Sequence, residues 1–211
     1  VVVAFRMLPE EVWRMPRLGT FNLHAALLPQ YRGAAPINWA VINGERMTGV
    51  TTFMIDKDID TGGIILREEC RIGADDTAGD VHDRLMAMGS DAVLSTVEGL
   101  IQHSVDIRVQ RSFIQGSEVL KAAPKLTREL CHIDWRDTTA NIHNLIRGLS
   151  PYPAAFTELE KDGVKQQLKI YKASKMDLHG EPGEVLSDGR TYLAIATADG
   201  AIGINDLHNI I

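Results

Sequence analysis

Five apolar residues open the chain, Val1–Phe5, without the polar alternation of a strand that faces water on one side. The pattern predicts a strand buried on both faces, and such a strand needs neighbours. Earlier strands are therefore expected, and the chain reads as the later portion of a larger fold. Pro9 then opens a short helix to Met15, with Glu10 and Glu11 in the turn where negative charge suits the helix dipole. Thr20–His24 is a second strand candidate that runs into Pro29, Gly33 and Pro36, breakers that predict a loop. A helix over Ile37–Asn43, closed by Gly44, precedes two more strand candidates, Gly49–Ile55 and Ile64–Ile72, with a polar Gly-bearing loop between them. Apolar positions then recur at about 3.6-residue spacing through Val81, Leu85, Met88, Ala92, Val93, Val97, Leu100 and Ile101. They predict a long helix over Ala78–His103, entered through a capping box of Thr77 and Asp80.

Helices alternating with strands over residues 1–108 predict an α/β domain with a mostly parallel sheet, whose ligands are expected at the carboxyl ends of the strands. His24 and Asp60 stand at two such ends. Periodicity fades over residues 109–125, which are expected to be a linker. Beyond it the pattern gives one helix, Thr139–Leu149, and strands separated by Asp162-Gly163, Asp188-Gly189 and Asp199-Gly200. Asp-Gly supplies the positive φ values of tight hairpin turns, so residues 126–211 are expected to form a small antiparallel barrel or meander.

Composition narrows the function classes. With 45% hydrophobic and 24% charged residues and no apolar run near the roughly 20 residues of a membrane span, the chain reads as an ordinary globular protein, not a membrane protein. A net charge of -6 argues against a chain-wide grip on nucleic acid. The charge is uneven, however: Lys161, Lys165, Lys169, Lys172 and Lys175 face a single acidic residue, Asp162, within residues 161–175. That stretch is either a solvated strand face or a surface turned toward a polyanion. Cys70 and Cys131 fit no disulfide framework or zinc ribbon, which favours a reducing, cytoplasmic setting.

The glycine-rich nucleotide loops, the zinc-protease helix signature and the serine-hydrolase elbow are all missing. What remains is Asn22-x-His24, then Leu27-Leu28-Pro29, then Arg32-Gly33-Ala34-Ala35-Pro36, then Asp60-Thr61-Gly62. Residues 22 and 24 of a strand share a face. An amide, an imidazole and a carboxylate converging there suit acyl transfer to an amine: one group polarises a carbonyl, one handles the developing oxyanion, one orients or accepts a proton. A lone strand histidine is also an ordinary structural residue, and Asp-Thr-Gly is a common turn.

The stretch FNLHAALLPQYRGAAPINWAVINGERMTGVTTFMIDKDIDTGGII resembles the core of the folate-dependent formyltransferases. Arg32–Pro36, Ile133-Asp134-Trp135 and Ile146–Pro153 are similar to the branch of that family that acts on charged initiator tRNA. The resemblance implies a partial Rossmann-like formyltransferase domain followed by an OB-like barrel that contacts tRNA. It implies transfer of the formyl group of 10-formyltetrahydrofolate to the α-amine of methionine on initiator tRNA, without a metal or membrane partner, by a protein monomeric when intact. Mapped by motif, Asn22, His24 and Asp60 are the catalytic three. The folate-contacting loop falls on Ala26, Leu27, Leu28 and Pro29, with Ala26 where the family usually has Ser, and a pterin-side segment falls on Arg6, Met7 and Leu8. The implied mechanism has Asn22 and a protonated His24 bind the formyl oxygen while Asp60 keeps His24 charged and takes the amine proton. The alternatives are a sugar-nucleotide N-formyltransferase, a formyltetrahydrofolate hydrolase and a non-catalytic RNA- or folate-binding fragment.

Overall fold

The computed structural model describes residues 1–3, 8–161 and 164–210, in two compact units. Ala4 and Phe5 of the opening strand, the Asp162-Gly163 turn and Ile211 lie outside the described residues.

The first unit comprises Val1–Ala40, Arg46–Gly73 and Val81–Lys125. Its elements are β1 (Val2–Val3), α1 (Glu10–Trp13), β2 (Phe21–His24), β3 (Arg32–Gly33), most of α2 (Pro36–Ile42), β4 (Met47–Met54), β5 (Ile64–Arg71), most of α3 (Ala78–Ile101), a 3-10 turn at Gln110–Phe113 and β6 (Ala122–Ala123). The main sheet has the order β1-β2-β4-β5 and is mixed. The expected parallel relation holds between β1 and β2, whereas β2·β4 and β4·β5 are antiparallel. A parallel return needs a crossover of a dozen or so residues, and the short helix-free loop 55–63 cannot supply one, so β5 comes back against β4. On α3, Val81, Leu85 and Ala92 are buried as their spacing predicts, while Ile101, at 61% exposure, is not part of the stripe. Thr96 takes a place on it instead, its hydroxyl bonded to that of Thr52 on β4 at 2.8 Å.

The stretch 109–125, expected as a linker, belongs to this unit. Phe113 packs against the buried cluster of Leu28, Phe53 and Ile64, and Ala122–Ala123 pair in parallel with Arg32–Gly33. Trp39 Nε1 donates to Pro124 O at 2.8 Å.

The second unit, Val41–Glu45, Ala74–Asp80 and Leu126–Ile211, holds α4 (Arg128–Cys131), α5 (Thr139–Leu149), β7 (Ala155–Lys161), β8 (Val164–Met176), β9 (Val185–Ser187), β10 (Leu193–Ala196) and β11 (Ala201–Ile210). All pairings in its five-stranded sheet, ordered β7-β8-β11-β10-β9, are antiparallel. The helix α5 lays Ile142, Ile146 and Leu149 onto Ile133, Phe156, Ile170 and Ile202. The Ile-Asp-Trp segment is stitched to β7, with Ile133 N donating to Phe156 O at 2.8 Å and Trp135 Nε1 to Thr157 Oγ1 at 3.0 Å. The capping box before α3 is reciprocal: Thr77 N donates to Asp80 Oδ2 at 2.8 Å and Asp80 N to Thr77 Oγ1 at 3.1 Å.

Candidate active site

The strand β2 carries Asn22 and His24 on one face, and both are buried. Register ties them down: Asn22 pairs with Phe53 and His24 with Thr51 on β4. The imidazole is edge-on to the Phe53 ring at 6.5 Å. Its Nε2 lies 2.8 Å from Tyr31 O. A carbonyl only accepts, so Nε2 carries a proton and donates.

Asp60 approaches the other ring nitrogen. Its Oδ2 lies 3.9 Å from His24 Nδ1 and accepts from Gly33 N at 3.0 Å. The turn that presents it is unusual, because Asp60 is a non-glycine residue in the left-handed region, at φ 55°. Two glycines make the arrangement possible. A Cβ on Gly62 would fall 1.7 Å from Met54 O, and one on Gly33, at φ 128°, would fall 2.4 Å from Ala123 O. The glycines of the Asp-Thr-Gly and Arg-Gly-Ala-Ala-Pro segments thus let two loops close on His24.

Burial is the largest influence on His24 and pushes its pKa below the ordinary histidine value; Asp60 and the Tyr31 carbonyl pull upward less strongly, and Arg32 adds to the lowering. The imidazole is therefore neutral near pH 7, with its Nδ1 lone pair directed toward the Asp60 side. This differs from the expectation that Asp60 keeps His24 charged. A carboxylate at 3.9 Å that is already engaged by a backbone amide does not offset the loss of water around the ring.

Ala26, Leu27, Leu28 and Pro29 form the turn after β2. Ala26 and Leu28 are fully buried, so position 26 offers its backbone and not its methyl. The turn is held by a residue that sequence reasoning missed, Thr51 on β4, whose hydroxyl donates to Ala26 O at 2.6 Å and accepts from Leu28 N at 3.2 Å. Beside the turn lies a cavity of about 470 Å³ lined by Leu27, Pro29, Gln30, Arg67, Phe113 and Glu118, among others. Arg67 stacks over the Phe113 ring at 5.1 Å. Of the pterin-side candidates, Arg6 and Met7 lie outside the described residues, and Leu8 is half-buried ahead of α1.

The basic stretch is not one continuous face. On β8, an irregularity at Tyr171 shifts the alternation, so that Lys169, opposite His208, and Lys172, opposite Asp206, share a side, whereas Lys175, opposite Ile202, lies on the other. Lys172 and Lys175 are exposed and Lys169 is half-buried. Strand alternation splits what the linear sequence presents as a single run. Lys161 and Lys165 have no described side chains.

Among the described residues, no helix is long and apolar enough to cross a membrane. Residues 1–97 match the family described as formyl transferase, and residues 125–209 match the formyl transferase C-terminal domain. The methionyl-tRNA formyltransferase of Azobacteroides pseudotrichonymphae is 51% identical over 211 residues, covering 98% of this chain and 65% of that protein. That of Phocaeicola vulgatus is 53% identical over 207 residues, covering 97% of this chain and 64% of that protein. The chain thus spans about 65% of the length of the curated relatives it matches. Among solved structures, HypX from Aquifex aeolicus in complex with tetrahydrofolic acid aligns with a TM-score of 0.70 at 23% identity, over 96% of this chain and 34% of that one, a likeness of fold. On the two family matches and the identity of about half over nearly its whole length, the chain belongs to the formyl transferase family.

Proposed function

We propose that this chain carries the transfer of a formyl group from 10-formyltetrahydrofolate to the α-amine of methionine on initiator tRNA, with Asn22, His24 and Asp60 as the catalytic residues. The observation that carries the reading is the buried His24 on β2, 3.9 Å from the Asp60 carboxylate, in a member of this family. In the reaction the amine nitrogen bonds to the formyl carbon, the bond from that carbon to N10 of the folate breaks, and a proton passes from the amine to N10. Asn22 donates from its amide to the formyl oxygen as negative charge develops there. Neutral His24 accepts the amine proton at Nδ1, Asp60 stabilises the resulting imidazolium, and the same proton returns to the leaving nitrogen. The turn 26–29 forms one wall for the folate, and Arg6, Met7 and Leu8 are read as its pterin-side contacts.

Lys169 and Lys172, on one side of β8, are the residues of the second unit offered to the tRNA backbone. The intact protein is read as a cytoplasmic monomer without a metal. Presenting it with 10-formyltetrahydrofolate and either charged initiator tRNA or an aminosugar nucleotide tests the assignment. Formylmethionine on tRNA is expected; formylation of the aminosugar alone contradicts it.

A further inference from the structure

Gln110 sits in the 3-10 turn of a stretch without any sequence motif, yet it is only 4% exposed. A buried side-chain amide has two donor and two acceptor positions to satisfy, and Gln110 satisfies all four. Its Nε2 donates to Asp60 O at 2.8 Å and to Gly62 O at 3.0 Å. Its Oε1 accepts from Arg32 Nε at 3.1 Å and from Arg32 Nη2 at 2.6 Å. These partners fix the orientation of the amide, since carbonyls only accept and a guanidinium only donates.

The amide grips the strained part of the site. A left-handed residue with a side chain costs about 1–2 kcal/mol and persists where its surroundings over-determine it. Asp60 is that residue, at φ 55°, and its carbonyl and that of Gly62 are both taken by one amide. Arg32 anchors the amide from behind, and the next residue, Gly33, holds the Asp60 carboxylate from the other side. The main chain and the side chain of Asp60 are thereby tied to the same two-residue strand. We propose that Gln110 is a positioning residue: by clamping the Asp60 and Gly62 carbonyls to Arg32, it sets where the Asp60 carboxylate stands relative to His24. The proposal rests on reading His24 and Asp60 as a catalytic pair.

His24 faces Asp60 and Arg32, and its titration reports their placement because Asp60 raises its pKa. The experiment is an NMR titration of His24 in the full chain as wild type, Asp60→Asn and Gln110→Met. Asn tolerates left-handed backbone, so Asp60→Asn removes the charge while keeping the turn and sets the scale of the effect. Met fills the buried volume with no hydrogen bond and no charge. Gln110→Met is expected to lower the His24 pKa by at least about half the Asp60→Asn shift. It is also expected to cut kcat for formyl transfer by about tenfold or more, with KM for the formyl donor within about threefold. A wild-type His24 titration in folded Gln110→Met overturns the proposal alone. An unchanged titration in Asp60→Asn overturns the pairing, and the proposal with it. Should Gln110→Met not fold, Gln110→Asn, a polar amide one methylene shorter, is read by the same criteria.

Discussion

Asp60 Oδ2 stands 3.9 Å from His24 Nδ1, the distance of an ion pair and not of a hydrogen bond. The proton that would close this gap is missing from the resting imidazole, whose pKa burial holds below the ordinary value of about 6.5. A lowered histidine pKa means that the unfolded chain binds more protons than the folded one between the two values. Folding stability is therefore full above about pH 6.5 and falls as pH drops through that window. NMR titration should place His24 below the unfolded value, with Asp60→Asn lowering it further. A His24 pKa above the unfolded value contradicts this.

Thr51 should control the turn 26–29. Thr51→Val keeps the shape but leaves Ala26 O and Leu28 N without the hydroxyl they share, at a cost of about 1–3 kcal/mol. Thr51→Ser retains the hydroxyl and should lose only about 1 kcal/mol for the missing methyl. Urea unfolding of the two variants measures the difference. Equal losses would show that the hydroxyl does not hold the turn.

In the second unit, Asp199 caps α5 from another element: its Oδ1 accepts from Thr139 N at 2.7 Å and from Thr139 Oγ1 at 2.8 Å. These bonds hold its carboxyl below the usual carboxylate range. A depressed folded pKa contributes stability above the unfolded value of about 3.9 that is lost as pH falls through the folded one. Asp199→Asn should therefore destabilise the protein at neutral pH and flatten its loss of stability below about pH 4. Parallel acid-unfolding curves for wild type and variant would contradict the assignment.

The proposed tRNA contact is tested by salt dependence. Lys169→Glu and Lys172→Glu, on one side of β8, should each weaken tRNA binding and reduce the salt slope by about 1. Lys175→Glu, on the other side and opposite Ile202, should change the slope less. Identical slopes for all three would return the lysines to a solvated surface.

What could be read from the sequence follows from range. Local rules sufficed where the signal is local: the helix Thr139–Leu149, the capping box at Thr77 and Asp80, and the shared face of Asn22 and His24. The direction of β4 and β5 was not readable from apolar runs, because period and composition do not encode which way a strand is entered. Nor was the role of residues 109–125, whose hold on the site comes from Gln110 and from backbone bonds such as Tyr31 N to Lys121 O at 2.7 Å. Such contacts join positions about fifty to ninety apart and leave no periodic trace. The neutral state of His24 likewise depends on burial, which a motif does not report.

The central claim, formyl transfer by Asn22, His24 and Asp60, is tested most directly by single-turnover transfer from 10-formyltetrahydrofolate to charged initiator tRNA. His24→Ala and Asp60→Asn should each slow the chemical step by roughly 10²–10⁴ while leaving tRNA affinity near wild type. A wild-type single-turnover rate in either folded variant would contradict the account.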